Sequence, residues 1–426
     1  MNVLLLGNGA REDALAWRVS ESPLCGELFI APGNAGTERR GTNLPLDLSD
    51  FNAIRQAVLD HKIKLVICGP EEPLVRGLRD YFRTDDQLKT VYFIGPGREA
   101  ARLEGSKAYA KAFMEEYGIP TAGYRRFTAD DREEAAAYLD SRTPPIVLKA
   151  DGLAAGKGVI ILNDVGEAKR ELNAMLDGKF GEASATVVVE DFLDGIEFSV
   201  FVLTDGKSYR IFPVAKDYKR IGVGDTGPNT GGMGSVSHPP FVDPDLMRKV
   251  EQRIIQPTLE GIQKRKLDYR GFIFLGLIAV EGEPFVIEYN CRLGDPETQT
   301  VMARLQTDIM QLLLEAVEGD LSTAVIRMDQ RQAATVVLVS GGYPGPYEKG
   351  KTISGLDDIQ DSMIFHAGTR RKNKQEIVTN GGRVLSVTSY GDTLAEALEK
   401  CYANARRVSF EGANYRSDIG FDLETA

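Results

Sequence analysis

The stretch Pro145-Ile146-Val147-Leu148-Lys149-Ala150-Asp151-Gly152-Leu153-Ala154-Ala155-Gly156-Lys157-Gly158-Val159 places two lysines around small residues, between two apolar strands. It has the glycines and lysine of a P-loop, but no Ser or Thr follows Lys157. It also leads into a strand, whereas the P-loop holds phosphates at a helix N-terminus. What remains is a hairpin tip whose N–H groups and ammonium groups close over phosphates. A second constellation is Glu288-Tyr289-Asn290-Cys291-Arg292-Leu293-Gly294-Asp295-Pro296-Glu297. Successive strand residues face opposite sides, so Glu288 and Asn290 project together. A carboxylate and an amide oxygen on one face suit a hard divalent cation bridging phosphates. Arg292, beyond them, is placed to hold an anion.

Two further segments are less specific. Val187 to Ser199 reads as a strand, a turn bearing Glu190, Asp191, Asp194 and Glu197, and a second strand; alone it is equally any solvated hairpin. Lys216-Asp217-Tyr218-Lys219-Arg220 precedes a turn-rich run, Pro228 to Gly234, which reads as a substrate-facing loop or as a disordered surface loop. Other chemistries are excluded by scarcity. The 3 histidines (His61, His238, His366) are too scattered for a metal centre or a triad, and the 4 cysteines form no CxxC pair. Reduced thiols in a cytoplasmic protein are expected.

Something must position these groups, and the first hundred residues show what kind of scaffold does so. Val3–Leu6, Leu28–Ala31, Leu65–Cys68 and Val91–Ile94 are short apolar runs, each ending in a Gly/Pro loop, with helical stretches between. That alternation predicts a doubly wound parallel sheet, whose ligands lie outside the carboxyl ends of the strands. A dinucleotide site is disfavoured: Gly7-Asn8-Gly9-Ala10-Arg11-Glu12 has Glu where the third Gly belongs, and Pro32-Gly33 replaces the acidic residue after the second strand. A helix N-terminus for the phosphate of one nucleotide or sugar fits better; tight turns alone are the alternative. Beyond about residue 330, Ala334–Val339, Met363–Ala367 and Val384–Thr388 read as strands and Thr393 to Arg407 as a helix, a small α+β domain.

The chain has 426 residues, 42% apolar and 27% charged, with a net charge of −11. Its length allows about two to four domains, and its acidity argues against a nucleic-acid scaffold. No apolar run approaches the ~20 residues of a membrane span, and Met1 to Gly7 lacks the basic flank of a signal peptide.

Taken together, these segments resemble the ATP-grasp ligases, and within them the glycinamide ribonucleotide synthetase family, along nearly the whole chain. The motifs that carry the resemblance include Gly7-Asn8-Gly9, Ala31 to Gly36, Gly69-Pro70-Glu71, Leu103-Glu104-Gly105-Ser106-Lys107 and Lys149 to Val159. Asp225 to Gly234, Glu288 to Gln299, Phe365 to Thr369 and Thr379 to Val384 complete the set in the same order. The resemblance implies an N-terminal phosphoribosylamine-binding domain (1–103), an ATP-grasp domain (104–327) with a mobile flap (about 124–193), and a C-terminal domain (333–426). It implies that Lys107 and Lys149 contact ATP phosphates and that the loop with Asp151, Gly152, Gly156, Lys157 and Gly158 covers them. Glu190 and Leu193 would meet adenine, and Glu197 the ribose. Glu288 and Asn290 would hold Mg²⁺, with Mn²⁺ as the alternative.

Gly9, Arg11, Glu12, Gly33, Asn34, Gly69, Pro70, Glu71 and Asn229, with Arg292, Gly294 and Asp295, would border the pocket for glycine and 5-phosphoribosylamine. Lys149, Arg292 and Asp217 would act on the reacting groups. The implied reaction joins glycine to 5-phosphoribosylamine through a glycyl phosphate, with ADP and phosphate released. Partners would be small molecules, with no nucleic acid or membrane, and the chain a monomer, although no residue pattern speaks to oligomeric state. Two positions depart from the family, which usually has His at Asp13 and at Tyr218; each change removes a possible imidazole contact with substrate. Rival readings are an ATP-grasp ligase for another acyl substrate and a non-catalytic nucleotide-binding regulator.

Overall fold

The computed structural model describes residues 1–154 and 158–423, so the expectations for Gly156 and Lys157 lie outside the described residues. The N-terminal strands are β1 (Val3–Gly7), β2 (Leu28–Pro32), β3 (Thr42–Asn43), β4 (Leu65–Cys68) and β5 (Tyr92–Ile94). They form one parallel sheet in the order β3-β2-β1-β4-β5. Alternation decides which side chain goes where. Leu4, Leu6, Phe29 and Val66 share one core with Ile54, Phe82 and Leu103, from the helices Phe51–Asp60, Leu78–Thr84 and Arg98–Gly105. Val3, Leu5, Ile30, Leu65 and Ile67 pack on the other side with Ala14 and Leu313, from Ala10–Ser20 and Ile309–Glu318. Both faces are buried, as a parallel sheet requires, and the loops at the strand ends are left as the accessible edge.

A second sheet is made of β6 (Tyr124–Thr128), β7 (Ile146–Ala150), β8 (Val159–Leu162) and β9 (Thr186–Asp191), antiparallel in the order β6-β9-β7-β8. Helices Arg132–Asp140 and Val165–Leu176 cover one face, where Ile146, Leu148, Ala150, Val187 and Val189 are buried. The period of two therefore sends Lys149 and Glu190 to the opposite face.

That face meets a central antiparallel sheet of Tyr209–Ile211, Ile196–Thr204, Gly271–Val280 and Glu283–Asn290, in that order. The last strand carries Glu288 and Asn290. A third sheet orders Lys216–Asp217, Gly234–Ser237, Gln332–Val339, Arg383–Gly391 and Ser362–His366, backed by helix Leu394–Ala405. Thr393 caps that helix, accepting from the Glu396 N–H. Two strands of this sheet precede residue 327, so pairing crosses the boundary expected from sequence. The boundary expected at 103 falls inside the helix Arg98–Gly105. No helix among the described residues is long and apolar enough to cross a membrane.

Candidate active site

Lys149 leaves β7 toward the central sheet. Its Nζ lies 2.9 Å from Glu190 Oε2 and donates to the Ile287 carbonyl at 3.2 Å. Lys107 begins the helix Lys107–Glu116, capped by Ser106, whose Oγ accepts from the Tyr109 N–H. The Asp151 carboxylate accepts from Ser106 Oγ at 2.9 Å and from the Ala108 N–H at 2.7 Å. That pins the end of β7 to the helix and brings Lys107 beside Gly152, whose carbonyl accepts from Nζ at 3.4 Å. Gly152 bonds on to Ala183 at 2.9 Å, and the Gly158 carbonyl accepts from Ala150 at 2.8 Å. Burial lowers the Lys107 ammonium, with Lys149 adding to this and Glu288 opposing it. The lysines expected at phosphates are thus on one cleft wall. Leu193 is half-buried at the turn after β9.

Glu288 faces them from the last strand of the central sheet. Burial works to raise its carboxyl, but Lys219, Lys149, Lys107 and Arg292 together hold it below the ordinary value. A Cβ on Gly276 would lie 3.0 Å from Glu288 Cγ, so a glycine on the neighbouring strand gives this side chain its room. Asn290 Oδ1 accepts from Arg292 Nη2 at 3.1 Å, and its buried Nδ2 has no partner among the described residues. The Glu288 carboxylate and the Asn290 amide oxygen are hard donors that fit a divalent cation, and the neighbouring lysines fit phosphate oxygens. No cluster of three or more acidic, His or Cys side chains suited to a metal occurs among the described residues. Phosphate and water oxygens would therefore complete its shell.

Arg292 joins this strand to the N-terminal loops. Nε donates to Glu71 at 3.2 Å, Nη1 to the Leu293 carbonyl at 3.2 Å, and Nη2 also reaches Glu104 Oε1 at 2.8 Å. Glu104 in turn accepts from the Cys291 N–H at 2.7 Å, and burial, against Arg292, pushes its carboxyl up to about 7. The guanidinium expected to hold an anion is thus already held on three sides, with only its second Nη1 hydrogen unpartnered among the described residues.

Next to it lies a cavity of about 400 Å³, lined by Gly9, Arg11, Glu12, Pro70 and Asp295 together with Leu46 to Leu48 and Arg383. Glu12 is buried in its wall. It accepts from the Gly9 N–H at 2.7 Å and from Arg11 Nε at 2.6 Å. A Cβ on Gly69 would lie 2.0 Å from Glu12 Oε1, so only glycine fits after β4. Arg11 donates from its backbone N–H to Asp295 at 3.3 Å. Gly33 bonds to Gly7 at 3.1 Å. Asn34 spends its amide on the carbonyls of Asn8 and His366, at 2.9 and 2.7 Å, and braces the loop more than it faces the cavity. Gly294 accepts from Thr298 Oγ1 at 2.5 Å, and Asn229 ends a hairpin opposite Arg220.

Asp217 belongs to a third group. Burial raises its carboxyl, with Lys219 and Lys216 opposing and Glu197 and Glu288 adding. Glu197 and Lys219 pair at 2.7 Å at the cleft mouth. Burial and Asp217 together push Glu297 up to about 7.

The two departures from the family pattern point away from the cavity. Asp13 accepts from the His366 N–H at 2.7 Å, and the Tyr218 hydroxyl donates to Asp422 at 2.7 Å. Both tie the C-terminal part to the rest. Sequence reasoning missed Arg383, whose Nη1 reaches the carbonyls of Gly231 and Asp295 at 2.5 and 2.6 Å, and Glu104. Both residues stood inside quoted motifs. It also missed Lys111, although i, i+4 spacing from Lys107 puts the two on one helix face.

A lysine-bearing flap over an antiparallel sheet whose edge presents a carboxylate and an amide, beside a parallel N-terminal sheet, defines an ATP-grasp ligase. Family models for phosphoribosylglycinamide synthetase match residues 1–104 (N domain), 105–298 (ATP-grasp domain) and 333–422 (C domain). Phosphoribosylamine–glycine ligase of Yersinia pestis is 45% identical over 427 residues, covering 99% of this chain and 98% of that protein. The Chlorobaculum tepidum protein of the same name is 46% identical over 428 residues, covering 99% of each. The crystal structure of the Thermotoga maritima phosphoribosylamine–glycine ligase superposes with a TM-score of 0.84 at 37% identity, covering 98% of this chain and 100% of that one. The chain belongs to the phosphoribosylglycinamide synthetase family, whose members use ATP with a divalent metal. A biotin carboxylase domain from Hydrogenobacter thermophilus, 17% identical with a TM-score of 0.72 over 97% of this chain and 91% of that one, shares the fold.

Proposed function

We propose that the chain ligates glycine to 5-phosphoribosylamine at the expense of ATP, giving glycinamide ribonucleotide, ADP and phosphate. The observation that carries this is the place of Glu288. It is a half-buried carboxylate whose pKa Lys219, Lys149, Lys107 and Arg292 together hold below the ordinary value against its burial, and Arg292 leads directly to the loops around the N-terminal cavity.

A carboxylate is a poor acyl donor. Its oxygen therefore first attacks the γ-phosphorus of ATP, the bond to ADP breaks, and glycyl phosphate forms. The ribosylamine nitrogen then attacks the acyl carbon, phosphate leaves and the nitrogen gives up a proton. Lys107 and Lys149 hold the phosphates, and Lys149 and Arg292 offset the charge that develops as they transfer. Asp217, raised by burial beside Glu197 and Glu288, is the carboxylate we assign to the released proton. Glu288 and Asn290 would hold the cation, Mg²⁺ with Mn²⁺ as the alternative, which supplies charge neutralisation at phosphate oxygens when bound. The flap loop at Asp151, Gly152 and Gly158 keeps water from the acyl phosphate. Glu190 and Leu193 meet the adenine and Glu197 the ribose. Gly9, Arg11, Pro70, Glu71, Asn229, Gly294 and Asp295 border the sugar-phosphate and glycine pocket, with Glu12, Gly33, Asn34 and Gly69 shaping its wall.

The same reading divides the chain at about residues 103 and 330, makes it a monomer and places it in the cytoplasm, which the buried free thiols of Cys68, Cys291 and Cys401 support. ADP release that requires both glycine and phosphoribosylamine tests it.

A further inference from the structure

Lys111 is a buried charge that the reaction itself does not use. It lies one turn beyond Lys107 and is 2% exposed, so it cannot touch a ligand in the cleft. Its Nζ donates to Thr121 Oγ1 at 2.8 Å and to the Ala122 carbonyl at 3.2 Å, and pairs with Glu190 Oε2 at 3.1 Å. Lys149 pairs with that same oxygen at 2.9 Å. Glu190 Oε1 is buried with no partner among the described residues. One carboxylate is therefore shared by two ammonium groups, one tethered to the fold and one at the cleft.

We propose that Lys111 is a positioning residue of the nucleotide cleft, which anchors Glu190 and thereby fixes the Lys149 ammonium and preserves its positive charge toward the nucleotide phosphates. The charge argument is direct. Alone, Lys149 and Glu190 would form a neutral pair with little pull on a phosphate; with Lys111 the trio carries a net positive charge in a low-dielectric wall. The inference rests on the nucleotide reading above. The groups facing Lys111 are Glu190 and Asp191 on β9, Lys149 on β7 and the Tyr124 ring on β6, 5.5 Å from Nζ.

The test is ADP affinity by titration calorimetry with Mg²⁺, for the unsubstituted chain, Lys111→Met and Lys111→Arg, at pH 7 and pH 9. Lys111→Met is expected to bind ADP about tenfold more weakly at pH 7, with KM for glycine within about twofold. Burial, opposed by Glu190 and helped by Lys149, pulls the Lys111 ammonium down to about 8. The unsubstituted chain should therefore lose several-fold in affinity from pH 7 to pH 9, and Lys111→Arg, which stays charged, should lose less. Unchanged ADP affinity in Lys111→Met, or an equal rise in KM for glycine, overturns the inference. If Lys111→Met does not fold, equal pH losses in the unsubstituted chain and Lys111→Arg overturn it. An unsubstituted chain that binds no ADP overturns the nucleotide reading instead.

Discussion

Arg292 Nε and Glu71 Oε2 meet at 3.2 Å, across the seam between the loop after β4 and the strand that carries Glu288 and Asn290. The contact matters because, under the proposed function, each partner belongs to a different half of the chemistry. Glu71 opens the short helix Glu71–Val75 beside the N-terminal cavity, and Arg292 also holds Asn290 at 3.1 Å. A shift of either sheet is therefore felt at the other. Effective catalysis by alignment depends on that rigidity, since small misplacements cost orders of magnitude.

Removing a charge from the cleft should abolish turnover while sparing the fold. Glu288→Ala and Lys149→Ala are each expected to lower ADP formation by about 10²-fold or more, with a cooperative melt retained. A coupled ADP assay beside a thermal melt checks this, and near-normal turnover in either variant would remove that residue from the site.

Arg383 lines the cavity from the third sheet and bonds the carbonyls of Gly231 and Asp295. Arg383→Met keeps the bulk and removes the charge. We expect KM for phosphoribosylamine to rise about tenfold, the worth of one charge-assisted hydrogen bond, while KM for ATP stays within about twofold. Steady-state kinetics with each substrate varied decides it.

Asp13 gives a pH signature. Burial, against the His366 N–H and Arg40, pushes its carboxyl from 3.8 up to about 6. Between those values the unfolded chain has lost this proton and the folded one still holds it, so rising pH costs the fold stability. The loss is of order 2–3 kcal/mol and is complete above about pH 6. Asp13→Asn lacks this group. Tm of the unsubstituted chain minus that of Asp13→Asn should fall as pH rises from about 4 to 6 and then level off. A flat difference across that window would contradict the burial argument.

The parallel sheet was legible because strand, Gly/Pro loop and helix alternate with little ambiguity in the first hundred residues. Glu288 and Asn290 were legible because a period of two leaves no other way to place two polar residues on a buried strand. The third sheet was not foreseen to recruit Lys216–Asp217 and Gly234–Ser237, since strands of two and four residues carry no periodic signal. Lys111, Glu104 and Arg383 escaped for a different reason. Their meaning lies in partners 79, 187 and 88 positions away, Glu190, Cys291 and Asp295, and no local pattern reports contacts at that separation. Asp13 and Tyr218 stand where the resemblance implies the loss of a possible imidazole contact; what they do instead lies in distant partners, His366 and Asp422, which no local pattern reports.

The most direct measurement is ADP release by the purified chain with ATP, Mg²⁺, glycine and freshly generated phosphoribosylamine, omitting glycine and the amine in turn. ADP should form only in the complete mixture, or in the complete mixture far above either omission, with glycinamide ribonucleotide in equal amount. ADP release indifferent to glycine, or none at all, would contradict the assignment.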